Sequence, residues 1–326
     1  MRVLVIKLGA LGDLLISGAH VERIAAHHSG DEIWLLTSPA LVEVARLFPG
    51  VRVRAFPRRG VRAMAAASAW VRRMRFEVVY DLQGSDRSRW LTWVSGARRR
   101  VALSGRFPYN VWPRHDHRHL HPFDRLNDLL EAAGIGPATA ACRLVPGEEA
   151  RRAVGRWLSA AGLVGAPLAL FHAGSSPRWL SKRWPPAYFA AVAREVERRG
   201  IRVVWIGTAA EGDLNRDLAA VAGVDATGVF SPETLCALAG HARFALVNDS
   251  GPMHLLASSG LPVYAFFGPT DWRRCHAVGQ AERIFRLELP CAPCYLPVCP
   301  TSRAHACMRK LEPEIVLERL QHDALI

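Results

Sequence analysis

Apolar residues in this chain gather in short unbroken runs, and between them lie longer stretches with a helical period. Met1–Ile6, Asp31–Thr37, Arg52–Phe56 and Glu77–Leu82 read as strands, with helices over Gly18–His28 and Ala63–Met74. Short apolar runs without polar alternation suit strands covered on both faces. Alternating strands and helices then imply a parallel sheet flanked by helices. Ser104–Pro122, rich in aromatics, Pro, Arg and His, reads as an irregular loop before a helix over Phe123–Ala133.

Around Leu144–Gly147 the pattern starts again. A helix over Glu148–Ala161 precedes a strand at Leu168–Phe171. Next come helix Pro186–Arg199, strand Arg202–Ile206, helix Glu211–Ala222, a short strand near Asp225 and helix Pro232–Ala239. Strands Phe244–Val247 and Val263–Phe267 follow, and Glu312–Leu325 reads as a last helix, able to cross back onto the front half. Each half begins with a strand and a small-residue turn, LVIKLGALGD and LALFHAGSSP. The expected fold class is therefore α/β with two Rossmann-like parallel-sheet domains, 1–150 and 151–326.

The stretch Leu246–Thr270, LVNDSGPMHLLASSGLPVYAFFGPT, carries the most chemistry. It reads as strand, polar turn, helix, strand, turn, with both turns at strand carboxyl ends, where open α/β sheets bind ligands. Glycine, short acids, hydroxyls and the amides of a helix start suit a sugar phosphate. At the N-terminus, Gly9 and Gly12 permit a tight turn after the first strand. That turn lacks the G-x-G-x-x-G spacing of a dinucleotide site, so NAD is not expected. Asp13 stands where a helix begins. It is either a helix cap or a general base facing an incoming hydroxyl.

Composition narrows the classes. Half of the 326 residues are apolar and 22% are charged, which supports two cores and excludes disorder. No apolar run is long enough for a membrane span, and MRVLVIKLGALGDLLISG lacks a signal-peptide pattern. The formal charge of +13 favours polyanions: nucleic acid, an anionic membrane surface or a phosphorylated glycolipid. Arginines crowd the front half, including Arg58, Arg59 and Arg62, which also fits a plain solvated basic surface. No nucleic-acid motif is present, so nucleic acid is not an expected partner.

Six motifs stand in order: VLVIKLGALGDLL, YDLQG, HAGSSPRWLSKRWP, IGTAAE, NDSGPMH and FGPTD. Together they resemble glycosyltransferase family 9, the ADP-heptose:lipopolysaccharide heptosyltransferases. The resemblance implies GT-B architecture, two Rossmann-like domains facing across a cleft. It also implies inverting transfer of heptose from ADP-heptose to the phosphorylated, lipid-linked inner core of lipopolysaccharide. By position, Asp13 matches the catalytic base and Lys182 a lysine on the donor phosphates. Glu211 matches the acid that holds the ribose hydroxyls, and Phe230 an apolar residue beside adenine. Asp249, Ser250, Gly251 and His254 match the loop and helix start around the diphosphate and sugar. Ser175 and Ser176 fall at a phosphate-contacting turn. Without the resemblance, Lys182 reads as a surface cation, His254 as a core histidine and Glu211 as a helix-start acid. Arg58, Arg59 and Arg62 are candidate contacts for acceptor phosphates, since guanidinium forks suit phosphate. A cytoplasmic location, peripheral on the inner face of the inner membrane, is expected, and no cofactor is expected for catalysis. Two other readings remain: a family member acting on another acceptor, such as a protein hydroxyl, or a sugar-nucleotide-binding protein without turnover.

Of seven cysteines, Cys291, Cys294, Cys299 and Cys307 fall within seventeen residues. The spacing admits a tetrahedral structural metal, free thiols or disulfides, the last disfavoured in a reducing compartment. Similar clusters occur in family members that resemble heptosyltransferase II, and this favours that subtype.

Overall fold

The computed structural model describes residues 1–57, 60–116 and 119–326, the side chain of Thr301 aside. The chain divides into two compact units, Met1–Leu144 and Val145–Ile326.

The first unit runs β1 (Arg2–Ile6), α1 (Leu11–Ile16), α2 (Gly18–His27), β2 (Glu32–Thr37), α3 (Val42–Ala45), β3 (Arg52–Ala55), α4 (Val61–Met74), β4 (Val78–Asp81), α5 (Asp86–Ser95), β5 (Arg99–Ala102) and α6 (Pro122–Ala132). Its strands form one parallel sheet in the order β3-β2-β1-β4-β5. Central β1 buries Val3, Leu4, Val5 and Ile6 completely, as a strand covered on both faces must. The edge strands, RVRA and RRVA, carry arginines instead. Charged edges discourage pairing with another chain's backbone.

The second unit runs α7 (Glu148–Ala160), β6 (Leu168–His172), α8 (Pro186–Arg198), β7 (Arg202–Trp205), α9 (Gly212–Ala219), β8 (Val224–Asp225), α10 (Pro232–Ala239), β9 (Ala242–Asn248), α11 (Gly251–Ser258), β10 (Val263–Phe267), α12 (Trp272–Cys275), β11 (Ile284–Arg286), α13 (Ala306–Arg309) and α14 (Pro313–His322). Its parallel sheet has the order β11-β10-β9-β6-β7-β8. The last helix packs Val316 and Leu320 into this unit's own core.

The elements not expected from the sequence include α5, β5 and β11, beside the four-residue helices α3, α12 and α13. Strand β5 is short and begins in the Arg98–Arg100 run, which hides it among surface charge. Strand β11 is a three-residue edge. Helix α5 is capped by Ser85, whose Oγ accepts the Ser88 N–H, and ends at Gly96 with φ of 65°. Its aromatic residues Trp90 and Trp93 are on the exposed face, so the apolar period is blurred.

The second core is built around aromatic rings. Trp184 stacks on Phe266 with centroids 4.2 Å apart, and meets Phe189 edge-on. It is fully buried, yet its indole N–H donates to the Leu311 carbonyl at 2.8 Å, so no polar atom is stranded. Trp184→Ala should cost roughly 3–5 kcal/mol, read as a fall in the denaturant midpoint. A midpoint within error of the wild type would show that the core collapses onto the gap.

Candidate active site

β6 is the first strand of the second sheet and lies between β9 and β7, so successive connections leave it in opposite directions. At such a switch point the loops part and leave a crevice at the strand carboxyl ends. Asn248, the last residue of β9, is fully buried there. Its Oδ1 accepts the Trp184 N–H at 2.9 Å, and its Nδ2 donates to the carbonyls of Ala173 at 2.9 Å and Gly174 at 3.1 Å. One amide thus ties the loop after β6 to the segment that carries Lys182.

His172, the last residue of β6, joins two further loops. Its Nε2 lies 3.1 Å from Glu211 Oε1, and its Nδ1 lies 3.2 Å from Ser250 Oγ. Glu211 Oε2 also accepts the Thr208 N–H at 2.7 Å and the Thr208 hydroxyl at 3.0 Å. Burial pushes the Glu211 pKa up, but the bond to His172, its charge and the Thr208 donors outweigh that, bringing it from 4.5 to about 2. Gly174 sits so close that an added Cβ would lie 1.6 Å from Glu211 Oε1, so only glycine fits.

The Lys182 ammonium lies 2.7 Å from Asp249 Oδ2, which also accepts the Thr270 hydroxyl at 2.6 Å. Its Nζ stands 5.3 Å from the Trp179 ring centroid, within cation–π range. Far from being a free surface cation, Lys182 is held beside the start of α11. Ser250 is the N-cap residue of that helix, Gly251 its first residue, and His254 is buried in the same first turns. Helix-start amides there favour an anion. Ser175 is buried, donating to the Trp179 carbonyl at 2.9 Å and accepting from Arg183 Nε at 3.1 Å, whereas Ser176 is exposed. Phe230 packs edge-on against Trp157 at 4.9 Å. The Gly228 N–H to Gly207 carbonyl bond, 2.8 Å, brings the loop before Phe230 beside the loop before Glu211.

In the first unit the switch point lies between β1 and β4. Asp13 stands there in α1, its Oδ2 accepting the Ala10 N–H at 3.0 Å while the side chain stays exposed. The carboxylate therefore closes its own turn and still reaches solvent. Buried Lys7 donates to the Leu82 carbonyl at 3.1 Å. Burial lowers its pKa, opposed by the charges of Asp13 and Asp81, so all three belong to one neighbourhood. Asp81 is buried beneath the hydroxyl of Tyr109 and the amides of Gln83 and Gly84, and burial raises its pKa. A cavity of 530 Å³ opens beside it, with Gly84, Trp112, Arg114 and Arg125 in its lining. Arg62 is exposed in the first turn of α4, and Arg58 and Arg59 lie outside the described residues.

In the cysteine cluster the structure has free thiols. Among the described residues no three His, Cys, Asp or Glu side chains are placed to hold a metal ion, and all seven cysteines are unbridged. Cys307 packs beneath β10, its Sγ 2.7 Å from where a Cβ on Gly268 would stand, while Cys291, Cys294 and Cys299 lie half-exposed in the preceding loop. Burial, reinforced by the neighbouring cysteines, pushes the Cys307 thiol up to about 11.

Sequence reasoning assigned no role to His172, Asn248, Thr270, Lys7 or Asp81. All five stand inside the quoted motifs, but their partners lie on other segments, so spacing gives no sign of the pairing.

A family model described as glycosyltransferase family 9 (heptosyltransferase) matches residues 64–305. The chain is 26% identical to lipopolysaccharide heptosyltransferase 1 of Pseudomonas aeruginosa, over 98% of this chain and 97% of that protein. The fold is shared with a family 9 glycosyltransferase from Veillonella parvula, TM-score 0.79 and 24% identity, covering 88% of this chain and 86% of the other. It is shared equally with the ADP-heptose heptosyltransferase II of Escherichia coli, TM-score 0.78 and 20% identity, covering 99% and 98%. The architecture is GT-B, built from two parallel-sheet α/β domains.

Two measurements test this geometry. Asn248→Ala should strand the Trp184 N–H and two carbonyls, with a loss of about 3 kcal/mol or more, read as a fall in the denaturant midpoint. Unchanged stability would mean that the loops hold their places without it. Glu211 has a lowered folded pKa, so its contribution to stability is complete above about pH 4.5 and fades as the pH falls towards 2. The stability gap between wild type and Glu211→Gln should close over that window; a gap independent of pH would remove the assigned pairing.

Proposed function

Because the chain belongs to glycosyltransferase family 9, we propose that it moves heptose from ADP-heptose to the inner core of lipopolysaccharide, with inversion at the anomeric carbon. The observation that carries this reading is the Lys182–Asp249 pair, held at the start of α11 in the sheet whose next loop holds Glu211. That arrangement suits a nucleoside diphosphate: a cation and helix-start amides for the phosphates, and a fixed carboxylate for ribose hydroxyls. The second unit is accordingly the donor domain, with Ser175, Ser176, Asp249, Ser250, Gly251 and His254 around the diphosphate and sugar, and Phe230 beside the adenine. The first unit is the acceptor domain. Its boundary with the donor domain falls at Leu144/Val145.

Inverting transfer is one in-line displacement. The acceptor hydroxyl attacks the anomeric carbon and gives its proton to Asp13, while the carbon–oxygen bond to the diphosphate breaks. Lys182 and the α11 amides take up the charge that grows on the leaving ADP. Phosphates of the lipid-linked acceptor meet arginines of the first unit, Arg62 and the cavity residues Arg114 and Arg125. Work on such an acceptor places the protein at the inner face of the inner membrane, in peripheral contact.

Asp13→Asn should retain ADP-heptose affinity and lose roughly 10²–10⁴-fold in rate, the usual share of a general base. Lys182→Ala should lose both donor affinity and rate. ADP release should require a lipid-linked core acceptor. Wild-type turnover in Asp13→Asn would remove the base assignment, and donor binding without ADP release for any acceptor would leave a binding protein.

A further inference from the structure

Among the described residues of the first unit five large apolar side chains are exposed, and four of them fall on one stretch: Val61, Trp90, Trp93 and Phe107. Trp90 and Trp93 are each about half exposed, at 48% and 49%, and Phe107 is 74% exposed. They form one surface. The two indoles lie 5.0 Å apart along α5, and Trp90 Nε1 donates to Ser68 Oγ on α4 at 3.1 Å. Val61 and Ser68 share a face of α4 with Arg72, at helical spacing. Trp93 and Phe107 line a depression of 520 Å³ together with Arg72 and Arg100.

Charge surrounds this apolar strip. Residues 61–108 hold ten arginines and three acids. Of the acids, Asp81 is buried and Asp86 is paired with Arg89 at 2.9 Å. Nothing in the packing requires the exposed rings, because α4 and α5 already bury Trp70, Val71 and Leu91 on their inner side. Amphipathic indoles flanked by cations match the headgroup boundary of an anionic bilayer, where rings enter the interface and guanidinium groups meet phosphate. Among the described residues no helix is long and apolar enough to cross a membrane, so contact would be on the surface. α4 and α5 start at the carboxyl ends of their sheet, the edge that carries Asp13, and Arg72 and Trp93 stand in their last turns, towards the opposite edge.

We propose that the α4–α5 face, with Trp90, Trp93 and Phe107 among Arg72 and Arg100, is a docking surface for an anionic lipid bilayer. It deepens the peripheral contact suggested above, and rests on that reading only for the acceptor that the bilayer presents.

The test is flotation of the full-length protein with phosphatidylcholine vesicles, with and without phosphatidylglycerol. The wild type should bind only the anionic vesicles, less as salt rises, with a blue shift of tryptophan emission. The double variant Trp93→Ser/Phe107→Ser should bind them at least about tenfold more weakly. Its thermal midpoint, ADP affinity and transfer to a water-soluble deacylated acceptor should match the wild type. Equal vesicle binding by wild type and variant would overturn the proposal, as would a wild type that ignores anionic vesicles. A concentration-dependent dimer made monomeric by the two substitutions would assign the face to a second copy instead. Vesicle binding that depends on the two rings, in a protein that transfers nothing, would support the surface while removing the heptosyltransfer reading.

Discussion

The second unit depends on one buried amide. Asn248 ends β9 with no solvent to satisfy it, and it spends its donor and acceptor on three backbone groups from two other segments. A buried polar group left unpaired costs more than a made bond returns, so these segments are held where they can satisfy it. The consequence is positional. Trp184 enters the aromatic core on one side of that bond, and Lys182, two residues earlier, is left at the crevice beside Asp249. The core and the candidate site therefore share a single tether.

Both units place their first strand in the middle of the sheet, and in both the candidate groups lie at the switch point. The electrostatic solutions differ. In the second unit the charges are paired: Lys182 with Asp249, His172 with Glu211, each carboxylate with a further hydroxyl donor. Charges with partners survive burial, because removing water from them is repaid by hydrogen bonds of good geometry. In the first unit Asp13 stays exposed, while Lys7 and Asp81 below it are buried against carbonyl, amide and phenol partners. A pre-paired site suits a charged, tightly held ligand. An open carboxylate suits a proton acceptor that must meet an arriving hydroxyl.

The α4–α5 face follows a different rule. Its helices bury one side, and α5 still shows two indoles on the other, with the Phe107 ring beside Trp93 from the segment after β5. Helices that need only solubility place charge there, so the rings mark a surface with a use beyond folding. The same arrangement hides α5 from a periodic reading, since its indoles lie on the exposed side while its buried side carries Leu91 among Ser88, Thr92 and Ser95. A local rule is broken at a place where function supplies the reason.

The strand and helix alternation, the restart between the halves and the motif-bearing turns were legible in the chain by itself, because short apolar runs, glycines and caps act through near neighbours. So was the set of residue types at the second crevice: Lys182, Glu211, Asp249, Ser250 and His254 all stand in recognisable local contexts. Only tertiary structure decided who meets whom. His172 reaches Glu211 across thirty-nine residues, and Asn248 reaches Trp184 across sixty-four. Those pairings depend on strand order, which spacing along the chain does not encode. The cysteines show the converse. Their spacing leaves metal, free thiols and disulfides open, and it is the fold that buries Cys307 under β10 and leaves Cys291, Cys294 and Cys299 half-exposed in the loop, because apolar packing and not sequence proximity sets where a small side chain comes to rest.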